Sequence, residues 1–183
     1  MGGALCVADA QLAESLRNDR TALGSTPGAL EVWLLMRSLR TVHLRVERQS
    51  STAAALAAWL YGATPGGGVS QHELAGLVRA VHHPSLPSHP AHAVAARQMP
   101  GGFGGCFAVE LETEAAARAL PSTLRLFRDA TSLGGVESLI EWRRKYDSAI
   151  SPLLLRISVG LEDPTHLQDD LARGILEVSR GGT

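Results

Sequence analysis

One arginine stands inside an apolar run near the end of this chain. Across residues 153–160, Leu153, Leu155, Ile157 and Val159 alternate with Leu154, Arg156, Ser158 and Gly160. This is the period-two pattern of a strand with one buried face and one face turned toward a cleft. A charge on such a strand is costly to hide and is tolerated where an anion meets it. The planar guanidinium suits a carboxylate, because two parallel hydrogen bonds form at once. Arg156 is therefore a candidate for gripping a carboxylate ligand. A structural ion pair with an Asp or Glu of the same fold would satisfy it equally, and spacing alone favours that second reading.

Other clusters offer less. His82, His83, His89 and His92 are dense enough to suggest a metal, but they fall on a strand end and a proline-rich loop with no cysteine or acidic partner in range, so an exposed, partly stacked loop is expected and no metal. Gly101-Gly102-Phe103-Gly104-Gly105 precedes a strand. Phosphate loops follow a strand and open a helix, so this run reads as a tight entry into a sheet. Arg37, Arg40, Arg45 and Arg48 recur at helical intervals and read as a solvated or interface face. Trp33, Trp59 and Trp142 read as core residues.

Composition narrows the class. The 183 residues are 45% hydrophobic, with 17 basic and 18 acidic side chains and a formal charge of −1. That balance predicts a globular chain and argues against a nucleic-acid or anionic-membrane partner. Two cysteines, Cys6 and Cys106, make no disulfide framework and no metal set, which fits a reducing cytoplasm. No apolar run approaches the ~20 residues that span a bilayer, and the N-terminus lacks a signal-peptide pattern.

The elements that must position Arg156 follow from periodicity. Residues 4–7 read as a buried strand, and a helix is expected from Asp9, its N-cap, to about residue 20. Residues 29–61 carry a helical pattern too long for one ordinary helix, which predicts a break around residues 40–45. Glycines and a proline at residues 62–68 predict a flexible loop. Strands are expected over residues 77–82, 104–112, 126–130 and 153–159, with helices over 90–98 and 113–120. Asp163-Pro164-Thr165 opens the last helix, since proline is accepted in a first turn. Strands interleaved with helices predict an antiparallel sheet covered by helices.

Two stretches carry a resemblance. Ser132-Leu133-Gly134-Gly135-Val136-Glu137-Ser138-Leu139, then Leu154-Leu155-Arg156-Ile157-Ser158-Val159-Gly160-Leu161-Glu162-Asp163, resemble the C-terminal region of the Cys/Met-metabolism family of pyridoxal-phosphate enzymes, and its cystathionine gamma-synthase-like branch in particular. Residues 19–24, 33–48, 86–90 and 97–105 follow in the family's order, so nearly the whole chain is covered. The resemblance implies an α+β fold with a three-layer tendency: the C-terminal small domain of a fold-type I pyridoxal-phosphate-dependent transferase, with an antiparallel four-stranded sheet covered by helices. Residues 1–45 would be the tail of the large cofactor domain and the connecting helix, and residues 46–183 the small domain.

The same resemblance implies a function. The complete enzyme would make or break carbon–sulfur bonds in sulfur amino-acid metabolism, as a cytoplasmic homo-oligomer acting on an activated homoserine, cysteine or cystathionine. In the family the arginine matching Arg156 binds the substrate α-carboxylate, and the serine matching Ser132 lies beside the cofactor lysine and helps hold it. The position before that serine is often glutamate, which contacts the distal amino group of the substrate; here it is Thr131, which leaves the choice between replacement and elimination open. The family's cofactor forms an imine on a lysine of lowered pKa. This chain has one lysine, Lys145, in the polar run Arg143-Arg144-Lys145-Tyr146-Asp147, where the family has no anchor. The anchoring lysine and the cofactor-binding residues are expected upstream of Met1, so the chain reads as part of a transsulfuration enzyme, inactive alone. The competing expectation is a non-catalytic small domain used for binding or subunit pairing.

Overall fold

The computed structural model describes residues 3–69 and 71–180. They divide into two compact units, residues 1–43 and 44–183. In the first unit, helix α1 (Ala10–Leu23) starts on Asp9, whose side chain accepts the amide of Leu12 at 2.7 Å. It stops at Gly24, whose φ of 64° is left-handed backbone that L side chains rarely adopt. Helix α2 (Ala29–Leu39) follows. The expected break falls at residues 40–41, and α3 (Val42–Gly62) runs on from it. Residues 4–7, expected as a buried strand, are exposed coil. A strand must pair its backbone donors and acceptors, and the described elements of this unit are helices that offer no ladder.

The second unit is built on a sheet. Strand β1 (Val78–His82) leads through α4 (His92–Gln98) to β2 (Cys106–Leu111), and α5 (Glu114–Thr123) leads to the two-residue β3 (Arg128–Asp129). Strand β4 (Leu139–Trp142) passes into a 3₁₀ turn at Arg143–Lys145, and β5 (Leu154–Ser158) is followed by α6 (Pro164–Arg180). The order across the sheet is β1-β2-β5-β4-β3. Four antiparallel strands were expected; the sheet has five and is mixed, because β3 runs parallel to β4. The added strand is β4, whose four residues follow directly on a glycine-rich loop and so lack the length and alternation that mark a strand.

One face of the sheet carries the core. Phe107, Val109 and Leu111 of β2, Leu155 and Ile157 of β5, and Ile140 of β4 are buried there against Leu56 and Leu60 of α3, Leu120 of α5, and Leu167, Leu171 and Ile175 of α6. Burying one such side chain stabilises by about 1.5–3 kcal/mol. Trp59 and Trp142 pack against this core as expected, but Trp33 of α2 is exposed. Register on the opposite face aligns His82, Ala108, Arg156 and Glu141 across β1, β2, β5 and β4. That row places Arg156 beside an acid from the neighbouring strand. No helix among the described residues is long and apolar enough to cross a membrane.

Candidate functional site

Arg156 meets one of the two partners that its sequence setting allowed, an acid of the same fold, and it also donates to backbone carbonyls. Its Nη2 donates to the carbonyls of Thr131 at 2.7 Å and Ser132 at 3.0 Å, with the carbonyl of Ala130 at 3.4 Å. The same nitrogen lies 3.3 Å from Oε2 of Glu141, whose side chain is 1% exposed. The structural ion pair is thus present, and the arginine also reaches the loop that bears Thr131 and Ser132. Every contact runs through Nη2. Nε is buried without a partner, and Nη1 makes no hydrogen bond among the described residues.

Thr131 and Ser132 join this site through their carbonyls. Both are exposed, and neither side chain makes a hydrogen bond within the described residues. What fixes the loop lies around them. Ser138 is fully buried, and the carboxylate of Glu162 accepts its amide at 2.7 Å and its hydroxyl at 2.8 Å. That hydroxyl in turn accepts the amide of Gly160 at 2.9 Å, and the amide of Leu161 bonds the carbonyl of Val136 at 2.8 Å. The approach is so close that a Cβ at Gly160 would collide with Val136 and Glu162. Gly134 turns the loop with a φ of 73°, and its amide bonds Oγ of Ser158 at 3.1 Å. From the helix side, buried Gln49 of α3 donates to the carbonyl of Gly135 at 2.5 Å. Held from α3, from β5 and from the segment after β5, the loop keeps its 131 and 132 carbonyls aimed at the guanidinium.

Sequence reasoning missed Glu141, Arg143, Ser138, Glu162 and Gln49. Glu141 carried a usable signal, an acid among Leu139, Ile140 and Trp142 that mirrors the arginine in β5. Nη1 of Arg143 donates to Glu141 Oε2 at 2.6 Å. That hydrogen bond, and then the charge of Glu141, raises the pKa of Arg143 above its ordinary value, so it stays protonated.

The histidines match the exposed, partly stacked loop expected of them only in part, with His82 exposed. His83 is fully buried, edge-on to Phe103 and Phe107, and its Nδ1 pairs with Ser85 Oγ at 2.6 Å. Its pKa is lowered, mainly by burial. His92 stacks on Phe103, and His82 has an acidic neighbour after all, Glu110 at 3.3 Å. Among the described residues no group of three His, Cys, Asp or Glu could hold a metal. The glycine run enters β2 tightly, with φ of 133° at Gly102 and 85° at Gly104 and the Gly104 amide on Ser50 Oγ at 3.1 Å. Lys145 is exposed on the 3₁₀ turn, its Nζ 5.4 Å from the centre of the Tyr146 ring.

The α+β unit thus carries, on the polar face of its sheet, a braced arginine beside a loop that holds Gly134 and Gly135. The sequence matches the profile of the Cys/Met metabolism PLP-dependent enzyme family over residues 1–176. The chain belongs to this family. Among its relatives, the cystathionine gamma-synthase of Mycobacterium tuberculosis strain H37Rv is 38% identical over 96% of this chain and 44% of its own length. The structure is similar to that of cystathionine gamma synthase from Xanthomonas oryzae pv. oryzae in complex with cystathionine, with a TM-score of 0.80 and 37% identity over 94% of this chain and 44% of the other. It is also similar to an apo methionine gamma lyase from Micromonospora echinospora, with a TM-score of 0.78 and 40% identity over 91% and 42% of the two chains. The chain thus spans less than half the length of these relatives.

Pyridoxal phosphate is implied by the family, and the residues present do not fit its attachment. An imine anchor needs an amine whose pKa is lowered by burial or by a neighbouring cation. The sole lysine is exposed and far from Arg156 in role, packed over a tyrosine ring.

Proposed function

We propose that this chain is the substrate-gripping, C-terminal portion of a transsulfuration enzyme that makes or breaks carbon–sulfur bonds, and that Arg156 holds the α-carboxylate of its amino-acid substrate. The observation that carries this reading is the asymmetry of the guanidinium. Nη2 is anchored by the carbonyls of Thr131 and Ser132 and by Glu141, whereas Nη1 makes no hydrogen bond among the described residues. A side chain fixed at one nitrogen has little rotamer freedom left to lose when the other binds, so the grip is pre-organised. The contribution is orientation of the substrate, a proximity effect.

Thr131 and Ser132 set the approach by fixing that guanidinium, and Thr131 adds no charge at the site. The related Xanthomonas oryzae pv. oryzae enzyme has been solved in complex with cystathionine and with aminoacrylate and cysteine, which supports cystathionine or cysteine as the amino acid; an activated homoserine and a homo-oligomeric complete enzyme are part of the same proposal. The cofactor step belongs to the half that the relatives carry and this chain does not span.

Incubation of the chain with pyridoxal phosphate, followed by borohydride reduction and peptide mapping, tests this division. The expected result is no stoichiometric yellow imine and no label concentrated on one residue. A stoichiometric imine on Lys145 would overturn it.

A further inference from the structure

Glu141 poses a problem for the site just described, because a buried acid next to Arg156 competes with any incoming carboxylate for the same charge. Three groups decide the outcome. Glu141 and Arg156 are a register pair on adjacent strands, and Arg143 lies two residues beyond Glu141, where an extended chain returns side chains to one face. Both arginines address a single oxygen, Oε2 of Glu141. Arg143 is at 2.6 Å, a short charge-assisted hydrogen bond, whereas Arg156 is at 3.3 Å and spends its Nη2 on the loop carbonyls. The two cations and one anion leave one positive charge over.

We propose that Arg143 is a positioning residue for the carboxylate site: by making the shorter contact to Oε2 of Glu141, whose Oε1 is buried without a partner, it offsets the charge of that acid and leaves Arg156 a net positive charge for the ligand. Without Arg143 the trio would be electrically neutral. Arg156, already 3.3 Å from Glu141, would then be the cation left to it, because an almost fully buried carboxylate is costly without one. The inference rests on the reading of Arg156 as the carboxylate-binding residue, and it adds that the family-like arginine in β5 works only with an acid and a second arginine supplied by β4 and the turn after it.

The test uses the full chain labelled with ¹⁵N-arginine and titrated with sodium acetate against sodium chloride at matched ionic strength. The Nε–Hε signal of Arg156 is followed, assigned by its loss in Arg156→Lys. Arg143→Met should weaken acetate binding at Arg156 by about threefold or more, the size of effect expected of a partly exposed charge pair. Arg143→Lys should restore most of it, and adding Glu141→Gln to Arg143→Met should restore it fully, which a merely structural Arg143 would not do. Acetate binding unchanged in Arg143→Met, or not rescued in the double variant, overturns the proposal. Should Arg143→Met fail to fold, Arg143→Gln takes its place, since it keeps a donor for Glu141 and removes only the charge: it should weaken acetate binding at Arg156 as well, and unchanged binding in that variant overturns the proposal. If acetate leaves the Arg156 signal of the unmodified chain unmoved while chloride does the same, it is the reading of Arg156 itself that fails.

Discussion

In α2, Leu30, Trp33, Met36 and Leu39 are all more than half exposed, whereas in α6 Leu167, Leu171 and Ile175 are buried almost completely. Both helices carry enough apolar residues to build a core. The difference lies in how those residues are distributed and in what is present to receive them. In α6 they form one stripe that lies on the sheet, while polar residues such as Gln168 and Asp169 point away. In α2, Val32, Leu34 and Leu35 are exposed as well, so apolar groups surround the helix, the pattern of a segment enclosed by protein on several sides. The first unit buries none of its described helix positions in α1 or α2. Apolar periodicity specifies a helix; a stable core also requires a partner surface within the same unit.

The contrast is quantitative and can be broken. Replacing Ile157 by Ala removes a fully buried side chain from the middle strand of the sheet and should cost about 2–5 kcal/mol in a denaturant titration. Replacing Glu162 by Ala strips the buried Ser138 amide and hydroxyl of their acceptor and should cost about 1–3 kcal/mol; the loop of residues 131–137 should then gain hydrogen-exchange rate ahead of the strands.

A smaller, pH-dependent effect belongs to His83. Burial lowers its pKa below the ordinary 6.5, so between that value and the folded-state pKa the unfolded chain binds the proton and the native state does not. Stability should therefore be full above about pH 6.5 and decline as pH falls below it, and His83→Phe should flatten that slope. The least effect is expected at Trp33→Ala, within about 0.5 kcal/mol as for a surface position. A loss there as large as at Ile157 would mean that α2 is packed in solution.

Which features were legible in the sequence follows the same division between local and distant causes. Asp9, Gly24 and Pro164 mark helix ends by their own backbone and side-chain chemistry, and alternation located β1, β2 and β5. Residues 4–7 misled because a short apolar run says strand only if a neighbouring strand exists. β3 and β4 are two and four residues long, and their pairing was invisible without the sheet order. Arg156 could be singled out from its apolar setting alone. Its acid carried a similar signal, but the pairing of the two could not be read, since Glu141 reaches Arg156 through the register of two strands joined by the 3₁₀ turn and a loop. The Ser138–Glu162 clamp spans 24 residues and depends on the close approach at Gly160. Long-range polar pairs of this kind follow from topology, which residue spacing does not encode.

The most direct test of the account is substrate saturation at Arg156. In the enzyme completed with the half that its relatives carry, Arg156→Ala should raise KM for the amino acid by about tenfold or more, the size expected when a charge-assisted hydrogen bond is lost, while the absorbance of the bound cofactor stays as it was. An unchanged KM in that variant would contradict the assignment of the β5 arginine as the carboxylate grip.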